Sequence, residues 1–280
     1  MAQTMTPENP GRSEILQVRH LRIGIMGATG SGKTTYANIL RDRCGFCVPE
    51  ENFPENPYLE GFYKDPVKYC FDSEKFFLEA KVEQLAEVEN SLVGVVDPDI
   101  EMDGIFARTQ RQMGWMNYNQ YCAYSELYME AKKKVKRPDI YFAVIAPPDV
   151  VKERIKIRGR EFEKWLFEDV DRLRYIDLLC KNTEEWMWKK MREPGFPPVE
   201  RIRSGSYYFA QGEEEERGLV EDTLSAIHYN FLDQRSYKTK ILETVIIPGV
   251  KREWGREVLV NYLVRNGEIV EEKADLEART

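Results

Sequence analysis

The chain has 280 residues, of which 42% are hydrophobic and 12% aromatic, enough for one large core with appended elements. Its formal net charge of -7 excludes a surface that tracks nucleic-acid phosphates, although a local basic pocket remains compatible with it. No apolar run approaches the roughly 18 residues of a membrane span, so a soluble, cytoplasmic protein is expected.

The polar segment Met1 to Ser13 carries Pro7, Pro10 and Gly11 and no apolar stretch, which reads as a disordered lead-in over residues 1–19 and not as a signal peptide. Leu21 to Met26 is the first strand, followed by a glycine-rich turn and a helix from Lys33 to Arg43 that Gly45 closes. Phe46 to Val48 reads as a second short strand, and Pro49 to Pro66 as a loop. Apolar residues at helical spacing predict a long helix over Val67 to Asn90. Leu92 to Val96 is a β-branched strand closed by Asp97-Pro98, with helices expected from Met102 to Trp115 and from Tyr118 to Lys134. Ile140 to Ile145 is another strand, after which Asp149 is placed to cap a helix running toward Arg158. Apolar strands alternating with helices indicate an α/β, three-layer P-loop NTPase fold, a parallel sheet with helices on both faces.

Past Trp188 the pattern changes. Glu193 to Gly218 is rich in Pro, Gly and charge, and Glu193 to Lys240 reads as an insertion or a remodelled C-terminal region, with Glu213 to Glu216 a solvated face. A helix near Val220 to Asp233, a strand at Thr244 to Ile247 and a helix at Glu253 to Arg265 follow. The expected organisation is a core over 20–190 and an extended C-terminal region over 191–280 that completes or flanks the same domain.

The chemistry begins at Gly27-Ala28-Thr29-Gly30-Ser31-Gly32-Lys33-Thr34-Thr35, which fits GxxxxGK[ST] without mismatch and stands between a predicted strand and a predicted helix. Glycines let backbone N–H groups turn inward around phosphates, Lys33 adds a positive charge, and the Thr34 hydroxyl is placed to ligate Mg²⁺. ATP and Mg²⁺ are therefore the expected cofactors. No NKxD segment is present for reading guanine in the manner of a GTPase, and Asp97 is followed by Pro98-Asp99 instead of the glutamate of a mechanical ATPase. Arg154, Arg158 and Arg160 form an arginine-rich lid segment suited to a phosphoryl group whose charge spreads over several oxygens. Cys44-Gly45-Phe46-Cys47 has redox spacing but sits between a helix end and a strand, so it reads as two ordinary thiols. Five scattered cysteines fit a reduced protein, and His20 and His228 are too few for a zinc site.

Four ordered pieces resemble the deoxynucleoside kinase family, in the branch of deoxyguanosine and deoxyadenosine kinases. They are the P-loop, the run Glu51-Asn52-Phe53-Pro54-Glu55-Asn56-Pro57-Tyr58-Leu59 with Phe62-Tyr63 and Asp65-Pro66, the Ile105-Phe106-Ala107-Arg108 helix, and the Arg-Gly-Arg lid with its trailing acids, covering Leu21 to Trp186. The resemblance implies transfer of the γ-phosphate of ATP to the 5′-hydroxyl of a nucleoside, possibly a purine. It implies a catalytic carboxylate at Glu51, with Glu50 its neighbouring alternative, and base- or sugar-facing residues at Tyr69, Phe71, Glu74, Lys81, Asp103 and Glu163, the last preferred over Glu161. Phe71 is placed either to stack on a base or to join the core, and Lys81 to pair with Asp103. Asp97 would hold Mg²⁺ together with Thr34. The tyrosines from Tyr118 to Tyr128 are compatible with the homodimer face common in the family.

Three departures stand out. Glu74 replaces the family's usual glutamine; an ionised glutamate only accepts hydrogen bonds and so would favour guanine, which presents two donors. Pro98 replaces an arginine whose like is worth about 10³ to 10⁵ in rate in phosphoryl transfer, a role left to Arg108 or a lid arginine. The chain is also longer than the family core after Trp186. These departures suit a kinase for a nucleoside monophosphate or modified nucleoside, or a catalytically impaired nucleotide-binding subunit, as alternatives.

Overall fold

The computed structural model describes residues 21–49, 55–88, 91, 93–205 and 210–231. Four strands, β1 (Leu21–Met26), β2 (Val93–Val96), β3 (Ile140–Ile145) and β4 (Val199–Arg203), form one parallel sheet in the order β2-β1-β3-β4. In the register, Ile23 stands opposite Val95 on one side and Ile140 on the other, and Tyr141 opposite Val199. The expected strand at Phe46 to Val48 contracts to a single bridge, Cys47 beside Gly94, where the Cys47 amide donates to Val93 O at 3.0 Å.

Parallel strands buried on both faces need helices above and below, and the residues alternate accordingly. Leu21, Ile23, Ile25, Ile140, Phe142 and Val144 face α1 (Lys33–Cys44) and α8 (Glu213–Phe231). Met26, Tyr141 and Ala143 face the opposite layer. That layer contains α4 (Glu101–Gln112), α6 (Pro148–Arg158) and α7 (Val170–Lys190). A third cluster joins α3 (Pro66–Val88), α4 and α5 (Tyr118–Lys134), with the short α2 (Leu59–Lys64) beside it. This is the expected α/β architecture.

Gly45 ends α1 in the left-handed conformation at φ 71°, as its position after the last helical residue predicts. Asp149 does not cap α6. The helix begins at Pro148, whose missing N–H and fixed φ suit a first helical position, and Asp149 stands exposed in the first turn, favourable to the dipole. The segment read as an insertion contains β4, and α7 precedes it unannounced by the sequence pattern. The run Glu213–Glu216 is the first turn of α8, where negative charge meets the positive helix end, and Glu216 pairs with Arg43 of α1. The expected lead-in, the strand at Thr244 to Ile247 and the helix at Glu253 to Arg265 lie outside the described residues.

The α1–α8 contact contains one buried polar pair, Tyr36 Oη with Thr223 Oγ1, the latter also donating to Leu219 O. Tyr36→Phe keeps the ring packing against Phe142 and removes only this bond. It is expected to lower unfolding stability by about 1 kcal/mol, read from the shift in denaturant midpoint at unchanged slope.

Candidate functional site

The P-loop leaves β1 at Gly27 and turns back into α1 through three glycines with positive φ: Gly27 at 156°, Gly30 at 81° and Gly32 at 103°. Sterics reinforce the requirement, since a Cβ on Gly27 would lie 2.5 Å from Ser31 Oγ and 2.7 Å from Val144 O. Lys33 folds back over the loop, its Nζ donating to Ala28 O at 3.1 Å. The loop opens onto a cleft of about 560 Å³ lined by Thr29, Gly30, Gly32, Lys33, Thr34 and Thr35, by Asp97 from the end of β2, and by Arg154, Arg158 and Arg160. Gly27, Ala28 and Ser31 build the turn behind this lining.

The three arginines are differently engaged. Arg154 donates through Nη1 to Ser31 O at 2.9 Å and Ser204 Oγ at 2.8 Å, and through Nη2 to Ser204 O at 2.9 Å. Ser204 Oγ in turn donates to Ser31 O at 2.6 Å. Arg154 thus ties the P-loop to the end of β4 while it also lines the donor cleft. Arg158 grips the buried carboxylate of Glu163, Nε to Oε2 at 3.1 Å and Nη2 to Oε1. Arg160 Nη1 lies 3.8 Å from the same carboxylate. Gly159 in the left-handed region at φ 64° ends α6 and starts the 3₁₀ turn Glu161–Phe167 that carries Glu163 back beneath the arginines.

A second, smaller cleft of about 110 Å³ adjoins the first, and Thr29 and Arg160 line both. Its walls are aromatic, from Tyr63 of α2, Phe77 of α3, Phe106 of α4, Phe162 of the 3₁₀ turn and Tyr175 of α7, and its polar groups include Glu74, Asp103 and Glu163. Tyr63 and Phe162 lie 5.2 Å apart between ring centroids, and Phe62 joins them to Trp115 and Tyr175. Asn56 secures the chain entering this wall. Its buried side-chain amide donates to Ser73 O and Oγ at 3.2 and 3.1 Å, while its Oδ1 accepts from the Tyr58 amide at 2.9 Å.

Glu74, 5% exposed, accepts a hydrogen bond from Gln110 Nε2. Burial first, then the Asp103 carboxylate, push its pKa up to about 8, with the Gln110 amide acting in the opposite direction.

Of the residues expected at the acceptor side, Glu74, Asp103 and Glu163 come together, whereas Tyr69 and Phe71 do not line the cleft. Tyr69 packs against Gly61 with the Lys68 ammonium over its ring at 4.8 Å, and Phe71 packs against the α3–α5 cluster. Lys81 is buried, but its ammonium donates to Gln84 Oε1 at 3.0 Å and makes no ion pair with Asp103. Arg108 pairs with Glu185 at 2.9 Å on the exposed side of α4 and lines neither cleft. Pro98 itself lines the acceptor cleft. Glu51 and Glu50 lie outside the described residues. Sequence reasoning gave Phe77, Phe162, Tyr175 and Gln110 no place at the site and named Tyr63 and Phe106 only within family motifs. Helical spacing was the available signal for several of them: Glu74 and Phe77 are three apart on α3, and Asp103, Phe106 and Gln110 share a face of α4 at i, i+3 and i+7.

Thr34 and Asp97 supply a hydroxyl and a carboxylate to the same cleft, a hard-oxygen set that fits Mg²⁺, which takes one or two protein ligands and fills its octahedron with phosphate oxygens and water. Among the described residues no helix is long and apolar enough to cross a membrane.

The sequence model of the family described as deoxynucleoside kinase matches residues 23–228. A deoxyadenosine kinase of Dictyostelium discoideum is 31% identical over 194 residues, covering 69% of this chain and 76% of the relative. A deoxyadenosine/deoxycytidine kinase of Bacillus subtilis (strain 168) is 28% identical over 214 residues, covering 74% and 94%. Among solved structures, that of a deoxyadenosine kinase from M. mycoides with bound dCTP shares the fold, with a TM-score of 0.63 at 24% identity over 74% of this chain and 100% of that one. With the P-loop cleft opening into an aromatic cleft and the family model spanning the sheet and its helices, the chain belongs to the deoxynucleoside kinase family and is a nucleoside kinase, a phosphotransferase.

Proposed function

We propose that this kinase transfers the γ-phosphate of ATP to the 5′-hydroxyl of a deoxynucleoside seated in the aromatic cleft, with the triphosphate in the P-loop cleft. The observation that carries this reading is the junction of the two clefts at Thr29 and Arg160. A phosphoryl group crossing from one to the other passes that arginine, whose planar fork follows charge spread over several oxygens. P-loop amides and Lys33 hold the phosphates, and Arg158 and Arg160 act as the lid. Mg²⁺ held by Thr34 and Asp97 would neutralise charge on the β- and γ-phosphates when bound. Glu51, by family resemblance, accepts the hydroxyl proton. Glu163 and Tyr63 are suited to polar contact with the sugar.

Even with Glu74 neutral, the acceptor cleft sets Asp103 and Glu163 against the single guanidinium of Arg160, which gives the extra negative charge of a nucleoside monophosphate no net attraction and favours an uncharged nucleoside. Arg158 and Arg160 in the donor cleft favour an active enzyme over an impaired subunit despite Pro98. Exposed Tyr118 and Met129 on α5 suit a homodimer face, to be read from the mass in solution, and the five free cysteines suit a cytoplasmic setting.

Incubation with Mg-ATP and a panel of nucleosides and nucleoside monophosphates should give ADP that depends on a nucleoside; ATP binding without acceptor-stimulated turnover would defeat the proposal. Lys33→Ala is expected to lower kcat by at least about 10²-fold, and Glu51→Gln to abolish transfer while sparing ATP binding. Ser204→Ala loosens the P-loop clamp, so KM for ATP should rise about fivefold, equivalent to one hydrogen bond of about 1 kcal/mol, with KM for the nucleoside unchanged.

A further inference from the structure

Glu74 is a buried acceptor-cleft carboxyl that none of the described salt bridges joins to a cation. Its Oε1 accepts from the Gln110 amide, whereas its Oε2 is buried with no hydrogen-bond partner among the described residues. Phe77 from its own helix and Phe106, Phe162 and Tyr175 from three other segments line the same cleft, the surroundings of a flat aromatic ligand. A buried polar atom that faces such a cleft and has no protein partner is satisfied by the ligand itself.

The groups around Glu74 determine its charge. From α4 come Asp103 and Gln110, from α5 Tyr124, from α7 Tyr175, from α2 Tyr63, and from α3 itself Cys70. Glu163 also borders the cleft, but Arg158 and Arg160 are turned onto that carboxylate. Burial raises the phenols of Tyr63, Tyr124 and Tyr175 and the Cys70 thiol, so they stay neutral around neutral pH. Asp103 is the charged neighbour that acts on Glu74, and it opposes ionisation.

We propose that Glu74 reads the acceptor base as a neutral carboxylic acid, Oε2–H donating to a ring nitrogen and Oε1 accepting from the adjacent exocyclic amine. This inference rests on the nucleoside reading above. A protonated carboxyl offers one donor and one acceptor side by side, as a glutamine amide does, so the change from the family's usual residue preserves the hydrogen-bond pattern. The Gln110 N–H marks Oε1 as the carbonyl-like oxygen and leaves the proton to Oε2. The complementary edge is an amine beside an unprotonated ring nitrogen, as in adenine or cytosine. Guanine presents two adjacent donors and fits only the ionised form. The guanine preference expected from an ionised Glu74 is thereby reversed around neutral pH. A carboxylate pKa of about 8 puts the exchange of preference just above neutrality.

The test is the ratio of kcat/KM for deoxyadenosine to that for deoxyguanosine, measured from about pH 6.5 to about pH 8.5, a range centred near the raised pKa. In the native enzyme the ratio is expected to favour deoxyadenosine at the acid end and to fall about tenfold toward the alkaline end, in keeping with one bidentate base contact. In Glu74→Gln it should stay high and constant, and in Asp103→Asn the fall should move to lower pH. A flat native ratio, a deoxyguanosine preference at the acid end, or an equal fall in Glu74→Gln would overturn the proposal. An enzyme that phosphorylates no nucleoside at any pH overturns the nucleoside reading, and the base contact falls with it.

Thermal melting reads the protonation separately. A carboxyl whose folded pKa lies above its unfolded value stabilises the fold fully below the unfolded pKa and loses that contribution as pH rises through the folded one. The melting temperature of the native protein relative to Glu74→Gln should therefore fall steadily from about pH 5 to about pH 8. A constant difference would show that Glu74 is already ionised and would refute the proposal without any reference to substrate.

Discussion

The carbonyl oxygen of Ser31 accepts hydrogen bonds from both the Arg154 guanidinium and the Ser204 hydroxyl, and the geometry of both clefts depends on that junction. A glycine-rich loop is entropically costly to order because glycine loses more freedom than any other residue. Here the cost is offset from outside the loop. Arg154 reaches in from α6 and Ser204 from the end of β4, so the turn that faces the phosphates is fixed by two elements distant in sequence. Burial lowers the Arg154 pKa, and three hydrogen bonds to Ser31 and Ser204 satisfy its guanidinium.

The arginines one turn apart at the end of α6 show how one helix serves two purposes. Arg154 faces the loop and is held. Arg158, the last residue of α6, and Arg160 just past it hold Glu163. A charge-assisted pair with a carboxylate keeps guanidinium groups oriented and partly neutralised, and phosphate oxygens present the same bidentate geometry as the carboxylate they replace. Glu163 therefore orients both arginines at the edge of the donor cleft.

Much of this was legible in the sequence. β1, α5 and β3 have the boundaries that apolar patterning and turn residues indicate, and the P-loop announced the phosphate cleft in full. The elements that escaped are those whose pattern is weak on its own. β4, Val-Glu-Arg-Ile-Arg, turns only Val199 and Ile202 fully inward, and its place at the sheet edge leaves the charged positions half-exposed. On the acceptor side, individual residues were named by family resemblance, yet Tyr69 and Phe71 faced elsewhere because a helix presents only part of its circumference to a cleft. Glu74 was the sharpest case. Its charge state depends on Asp103 and Gln110, which stand 29 and 36 positions further along the chain and approach only when α3 and α4 pack.

The late position of Ser204 has a consequence for synthesis. A ribosome that has released β1, α1 and β3 has already delivered all the glycines of the phosphate loop, but not the hydroxyl that closes its clamp or the strand that covers the β3 edge. Domains form as units during translation, and unpaired strand edges favour association with other chains until they are covered. For this chain that interval lasts from about residue 145 to residue 204, roughly 60 residues of elongation, or several seconds at about 5–20 residues per second. The clamp on the phosphate loop can therefore close only once this late strand has been made.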